Sequence, residues 1–163
     1  MLLELANWLE NTSAGVMVRE SQWGFPILVA IHLFGLTLSV GVVIWFDMRL
    51  LGISMRSCSV SEVYRRLMPW AFVGFVVMFV SGGLLLAGFA TAAYGNTYFR
   101  IKVATLLLAG LNAVWYHSRT ERTIAGWDDN AKPPLMARMA GLTSFTAWMA
   151  VVFAGRMMSY TMF

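Results

Sequence analysis

Residues 21–46, 67–99, 103–118 and 139–155 contain no Asp, Glu, Lys or Arg, and the charged residues cluster between these runs. A helix needs roughly 20 apolar residues to cross a bilayer, and each run reaches that length with its flanks. The pattern predicts an all-α integral membrane chain, a four-helix bundle forming a single transmembrane domain over 1–163. The spans are expected over about 21–46, 67–92, 100–118 and 137–158.

Residues at the ends of the runs sharpen this picture. Trp23 and Trp45 bracket the first span as interfacial aromatics, leaving Asp47 and Arg49 at its inner boundary. Pro69 falls early in the second span, where a missing backbone donor costs little, and Pro133 with Pro134 introduces the fourth. Ahead of the first span, Leu2, Leu5, Ala6 and Leu9 share one helical side and Glu4 and Asn7 the other, with Trp8 at the edge between them. This predicts a short N-terminal amphipathic helix lying in the membrane interface. Glu4 and Glu10 are unlike a positive leader, so no removable signal segment is expected. Gly35 and Ser39, Gly83 and Ala87, and Ala109 and Ala113 are each four apart, a spacing that lets helix backbones approach closely.

Composition supports the same solvent: 59% of residues are hydrophobic and 12% charged, too few to cover a water-soluble globule of this size. A formal charge of +4 would suggest nucleic acid in a soluble domain. Here the Lys and Arg residues sit at span ends, where they anchor helices, so no nucleic-acid partner is expected. Eight of them fall in the two longer loops: Arg49, Arg56, Arg65 and Arg66, then Arg119, Arg122, Lys132 and Arg138. Arg19, Arg100, Lys102 and Arg156 are on the other side. The imbalance places the longer loops in the cytoplasm and both termini outside. Cys58 has no second cysteine to pair with.

The chemistry candidates are few. His32 and His117 are the two histidines, and both fall within or at the end of a span, where an ionisable group needs a partner or a purpose. Gly35 and Ser39 follow His32 on its face; Ala113, Gly110 and Ala109 precede His117 on its own. An axial nitrogen beside a surface without bulky projections suits a flat macrocycle, so haem b is the expected cofactor, with His32 and His117 as candidate ligands to its iron. A rise of about 1.5 Å per residue puts His32 roughly 12 Å and His117 roughly 24 Å below the outer boundary, a poor match for one shared iron. Met78, Asn112 and Met149 come nearer to His32 in depth. The competing structural reading is a histidine bonded to another helix beside small residues that serve only packing.

Arg19, Arg100, Lys102 and Arg156 gather in topology near the outer boundary, where they could pair with haem propionates, with lipid-headgroup anchoring as the competitor, above all for Lys102. No HExxH, CxxC, phosphate loop or GxSxG occurs, and Asp128 with Asp129 suits a solvated turn. No catalytic residue is assigned.

Trp23-Gly24-Phe25-Pro26 with His32, Asp47-Met48-Arg49-Leu50-Leu51-Gly52, Pro69 with Gly74-Phe75, Asn96 through Lys102, and Asn112 through His117 together resemble a family of small bacterial four-span membrane proteins of unknown function. More distantly the chain resembles the membrane domain of copper-resistance protein D and small four-helix b-type cytochromes, in which helix-borne histidines hold haem or metal. Two histidines exclude a second bis-imidazole haem within one chain. These resemblances imply a bacterial inner-membrane location with periplasmic termini. The expected function is that of a cytochrome b-like subunit, passing electrons between a periplasmic partner and quinone or another redox subunit, with quinone as a second candidate cofactor. Such a chain is an electron-transfer or anchor subunit more than a self-contained enzyme. Its partners are the lipid bilayer and either a membrane or periplasmic redox subunit or further copies of itself. The alternatives are a cofactor-free anchor or assembly subunit, and a small metal or solute transporter using the polar side chains of the midplane.

Overall fold

The computed structural model describes residues 1–130 and 132–162, with Thr120 and Glu121 described by their backbone alone. All regular structure among the described residues is helical. Two short helices, α1 (Leu2–Glu10) and α2 (Ser13–Glu20), lead into α3 (Gly24–Leu36), a π-helical turn (Thr37–Gly41) and α4 (Val42–Leu50), which run on as one rod. Then come α5 (Val60–Gly88), α6 (Ala90–Gly95), α7 (Thr97–Trp115), a second π-helical turn (Tyr116–Thr120), a 3-10 turn (Glu121–Gly126) and α8 (Leu135–Thr161).

The rod Gly24–Leu50, α5 and α8 are long and apolar enough to cross a membrane, with mean hydropathies of 2.5, 2.2 and 1.3. The fourth expected crossing, α7, is shorter, at 19 residues, and carries Arg100 and Lys102 in its first turns, which keeps it outside that group. Phe34, Phe72, Phe79, Leu111 and Phe153 lie exposed on the outer faces, as suits a hydrocarbon surround.

Helix ends differ from the expected spans for local reasons. The first apolar rod runs on beyond Phe46 to Leu50, where Gly52 stops it: with φ at 71° it closes a Schellman turn in which Ile53 N donates to Met48 O and Gly52 N to Arg49 O. Asp47 and Arg49, expected at a boundary, are therefore within the helix and buried. The next helix starts at Val60, seven residues before the expected span, because the first-turn amides all find acceptors. Ser59 Oγ accepts from Glu62 N, Asp128 Oδ1 from Ser61 N and Asp128 O from Val60 N. Pro69 thus falls inside α5 rather than near its start.

The expected N-terminal helix is present as α1, and a second helix, α2, follows it. Val18 of α2 is fully buried against Gly88, and a Cβ on Gly15 would stand 2.7 Å from Ala87 O, so α2 is pressed onto the end of α5. Glu10 completes the joint, since its Oε1 accepts from Thr91 N at 2.7 Å and Thr91 Oγ1 at 2.6 Å, at the start of α6. Glu10→Ala is expected to cost about 1 kcal/mol, the usual loss of a helix-end acceptor. Amide exchange should then speed up over α1, α2 and α6 while α5 and α8 keep their protection.

The rod and α5 cross with their backbones close together. A Cβ on Gly74 would fall 2.4 Å from Ser39 N, and one on Gly35 would fall 2.8 Å from Met78 N. Ser39 turns its hydroxyl onto Gly35 O at 2.7 Å, and the π-helical turn begins at this crossing. Two side-chain clusters continue the packing. One joins Val40, Met78, Ala109, Ala147, Trp148 and Val151 at mid-depth. The other gathers Phe46, Leu50, Val60, Tyr116, Trp127 and Ala137 at the end of the long loops. There α4 packs on both α5 and α8, and α7 packs on α8, whereas α5 and α7 share no extended contact.

Candidate functional site

His32 projects from α3 onto α5, where a Cβ on Gly82 would stand 3.0 Å from its Cε1. Its Nδ1 lies 3.0 Å from Met78 O and 3.1 Å from Ser81 Oγ. A carbonyl only accepts, and the Ser81 hydroxyl donates to Val77 O at 2.6 Å, so the ring proton sits on Nδ1. The Nε2 lone pair is left over, and no described residue hydrogen-bonds to it. Holding one ring nitrogen by a backbone carbonyl while the other faces away is the arrangement that orients a histidine for a metal.

Lys102 of α7 is the cation associated with this ring. It is half-buried, its Nζ lies 3.7 Å from where a Cβ on Gly155 would stand, and its charge acts on His32. Gly155 leaves the room that the lysine stem occupies. The expected cations are engaged elsewhere: Arg19 on Glu10 at 3.8 Å, Arg100 on Tyr94 O at 3.4 Å, and Arg156 on Tyr160 OH at 2.8 Å with its guanidinium over the ring.

Gly35 and Ser39 face α5 in the helix crossing rather than open space. Met78 serves His32 through its carbonyl, while its sulfur accepts from Ser39 Oγ at 3.7 Å. Met149 is 39% exposed and Asn112 donates to Ala140 O at 2.9 Å.

His117 stands apart from His32. Its ring meets Tyr64 and Tyr116 edge-on at 5.6 and 5.5 Å. With Gly110 and Ala113 it lines a cavity of about 330 Å³ between α4, α5, α7 and α8, whose wall includes Phe46, Phe75, Phe79 and Trp148. His32 is not part of that wall, so the structure brings His117, Gly110 and Ala113 together but leaves the two histidines in separate surroundings.

The same cavity holds the residue that sequence reasoning missed. Asp47 is only 2% exposed, Ser144 of α8 lines the cavity beside its carboxyl, and its Oδ2 has no partner among the described residues. The signal that could have placed it inside the helix was Gly52, a helix-stop residue five positions on. Among the described residues no three His, Cys, Asp or Glu side chains gather as a metal site.

No curated protein and no solved structure matches the chain. A family model does, over residues 7–161, so nearly the full length of the chain belongs to a family of unknown function, DUF6644.

Proposed function

We propose that this chain is a four-span subunit of the bacterial inner membrane, with α7 as the fourth crossing and both termini periplasmic, that holds haem b through His32. It passes electrons between a periplasmic partner and quinone or another redox subunit. The observation that carries the reading is the His32 ring itself, which is fixed through Nδ1 by Met78 O and Ser81 Oγ with Nε2 left as a lone pair. Histidine in an apolar layer is costly, and one presented in this way has a purpose beyond holding two helices together.

The neighbouring residues fit a haem on that nitrogen. Gly82 lets the imidazole lie flat on α5, and Lys102 provides a cation for a carboxylate beside it. A bound haem supplies one-electron chemistry, and the chain's own part is to hold the ring orientation, exclude water and set the local charge. In this reading, substrate chemistry belongs to a partner polypeptide.

Protein purified from its own membrane should show a reducible b-type absorption band. In His32→Ala the band is expected to disappear while the helical content stays. A wild-type preparation without haem would overturn this reading. If that preparation kept a tightly bound partner, it would support the anchor alternative, which one feature favours: Gly83 of α5 has no atom within 4 Å of a built Cβ and stands beside exposed Phe79 and Val80, a face open to another helix.

A further inference from the structure

The cavity between α4, α5, α7 and α8 contains a carboxyl that the haem reading does not use. Asp47 is 98% removed from solvent by its 2% exposure, and one of its oxygens is unbonded among the described residues. A buried polar atom without a partner costs about 1–3 kcal/mol, so its place on the wall of an open cavity calls for a ligand group to complete it. Near it on the wall are the Ser144 hydroxyl and Asn112, whose amide donates to Ala140 O, one helical turn before Ser144. His117, Tyr64 and Tyr116 also line the wall, and the rest of it is apolar, with Phe46, Phe75, Phe79 and Trp148 around the polar group.

We infer that this cavity binds the ring of a lipid-soluble quinone, with Asp47 and Ser144 hydrogen-bonding one of its oxygens. Three features select this class of ligand. The cavity, at about 330 Å³, is at the small end of the range of roughly 300–1,000 Å³ for small-molecule sites, and such sites are apolar with few polar groups. One carboxylate and one histidine, without a second carboxylate or a thiolate, make too sparse a donor set for a metal cation. A carboxyl can both donate and accept, which matches a ligand whose oxygen is a carbonyl in one redox state and a hydroxyl in the other. Entry from lipid is available on the side where α5 and α7 share no extended contact.

This rests on the quinone part of the proposed function and gives it a site; it does not depend on haem at His32, which is not part of the cavity wall. The test is direct binding of a short-chain ubiquinone analogue to the whole purified protein in nanodiscs, with the haem spectrum recorded on the same samples. Saturable binding is expected, weakened about tenfold or more in Asp47→Leu and little changed in Asp47→Glu. Gly110→Leu serves as the second variant: a Cβ at Gly110 meets nothing within 4 Å, so the larger side chain fills the cavity without displacing backbone, and binding should be lost while thermal stability is kept. A photoreactive azidoquinone should label residues 43–50 or 140–148. Non-saturable partition into the nanodisc, equal binding by wild type and Asp47→Leu, or labelling confined to other segments would each overturn the proposal. So would loss of the haem spectrum in Gly110→Leu, which would assign the cavity to haem. Absence of haem from every sample alongside saturable quinone binding would refute the haem assignment and leave this inference standing.

Discussion

Gly74→Ala is expected to destabilise the protein by about 3 kcal/mol, the upper part of the usual range for overpacking, although it adds one methyl group. The added Cβ would stand 2.4 Å from Ser39 N and 2.7 Å from Leu38 C. Both are backbone atoms of a helix, so relief requires the rod and α5 to move apart. That separation also withdraws Met78 O and Ser81 Oγ, one and two turns further along α5, from the His32 ring. Reversible unfolding in mixed micelles would measure the loss of stability, and haem content in the same preparation should fall with it. Gly83→Ala is the control. It introduces the same methyl group where nothing lies within 4 Å, and in a helix it should be neutral or stabilising by about 0.5 kcal/mol. Equal stability of the two variants would remove the close crossing from the account.

Arg49→Met is expected to cost a comparable amount, about 3 kcal/mol, by leaving buried carbonyls without donors. The Arg49 side chain is fully buried; its Nε donates to Cys58 O at 2.9 Å and its Nη2 to Asn130 O at 3.1 Å and Asp128 O at 3.4 Å. One side chain thereby ties the loop after α4 to the loop before α8. Asp128 uses its carboxylate on the other side of the same joint, accepting from Ser61 N at 2.7 Å and from the Ser61 hydroxyl. Limited proteolysis should open both loops in Arg49→Met, with cleavage between residues 51 and 59 and near residue 130, while α5 and α8 stay protected. Arg49→Lys should rescue little, because an ammonium point charge cannot span carbonyls that a planar fork reaches. Unchanged loop protection in Arg49→Met would show that the residue acts only as an interfacial anchor.

These two residues mark where sequence reasoning reached and where it stopped. Arg49 was legible as a positive charge at the end of an apolar run, and that is all charge counting registers. Its fork across two loops depends on Asp128 and Asn130, some 80 positions later in the chain. Gly74 was visible as one glycine in a Gly-rich helix; which glycine meets backbone and which faces outward depends on the crossing, so Gly74 and Gly83 look alike in sequence and differ in the fold. His32 was legible as a costly residue in lipid, but the state of its two nitrogens was not, because its partners come from another helix. Lys102 was assigned to the headgroup region, and its half-buried stem against Gly155 of α8 follows from α7 and α8 packing side by side. Arg19, Arg100 and Arg156 were legible as outer-side cations, but the partner each one takes, on its own or an adjoining helix, was not.

By itself the sequence determined that the chain is helical and has helices long and apolar enough for a bilayer, because helix length and side-chain polarity are local properties, summed residue by residue along a run. The helix-stop at Gly52 and the helix-start at Ser59 are also local, since both act through neighbouring backbone, but the expected spans did not use them. Only the tertiary structure decided which polar groups are satisfied. Asp47 is left with an open oxygen and His32 with an open nitrogen because of what three other helices place around them, and hydrogen bonds across a helix interface leave no periodic trace in either strand of sequence.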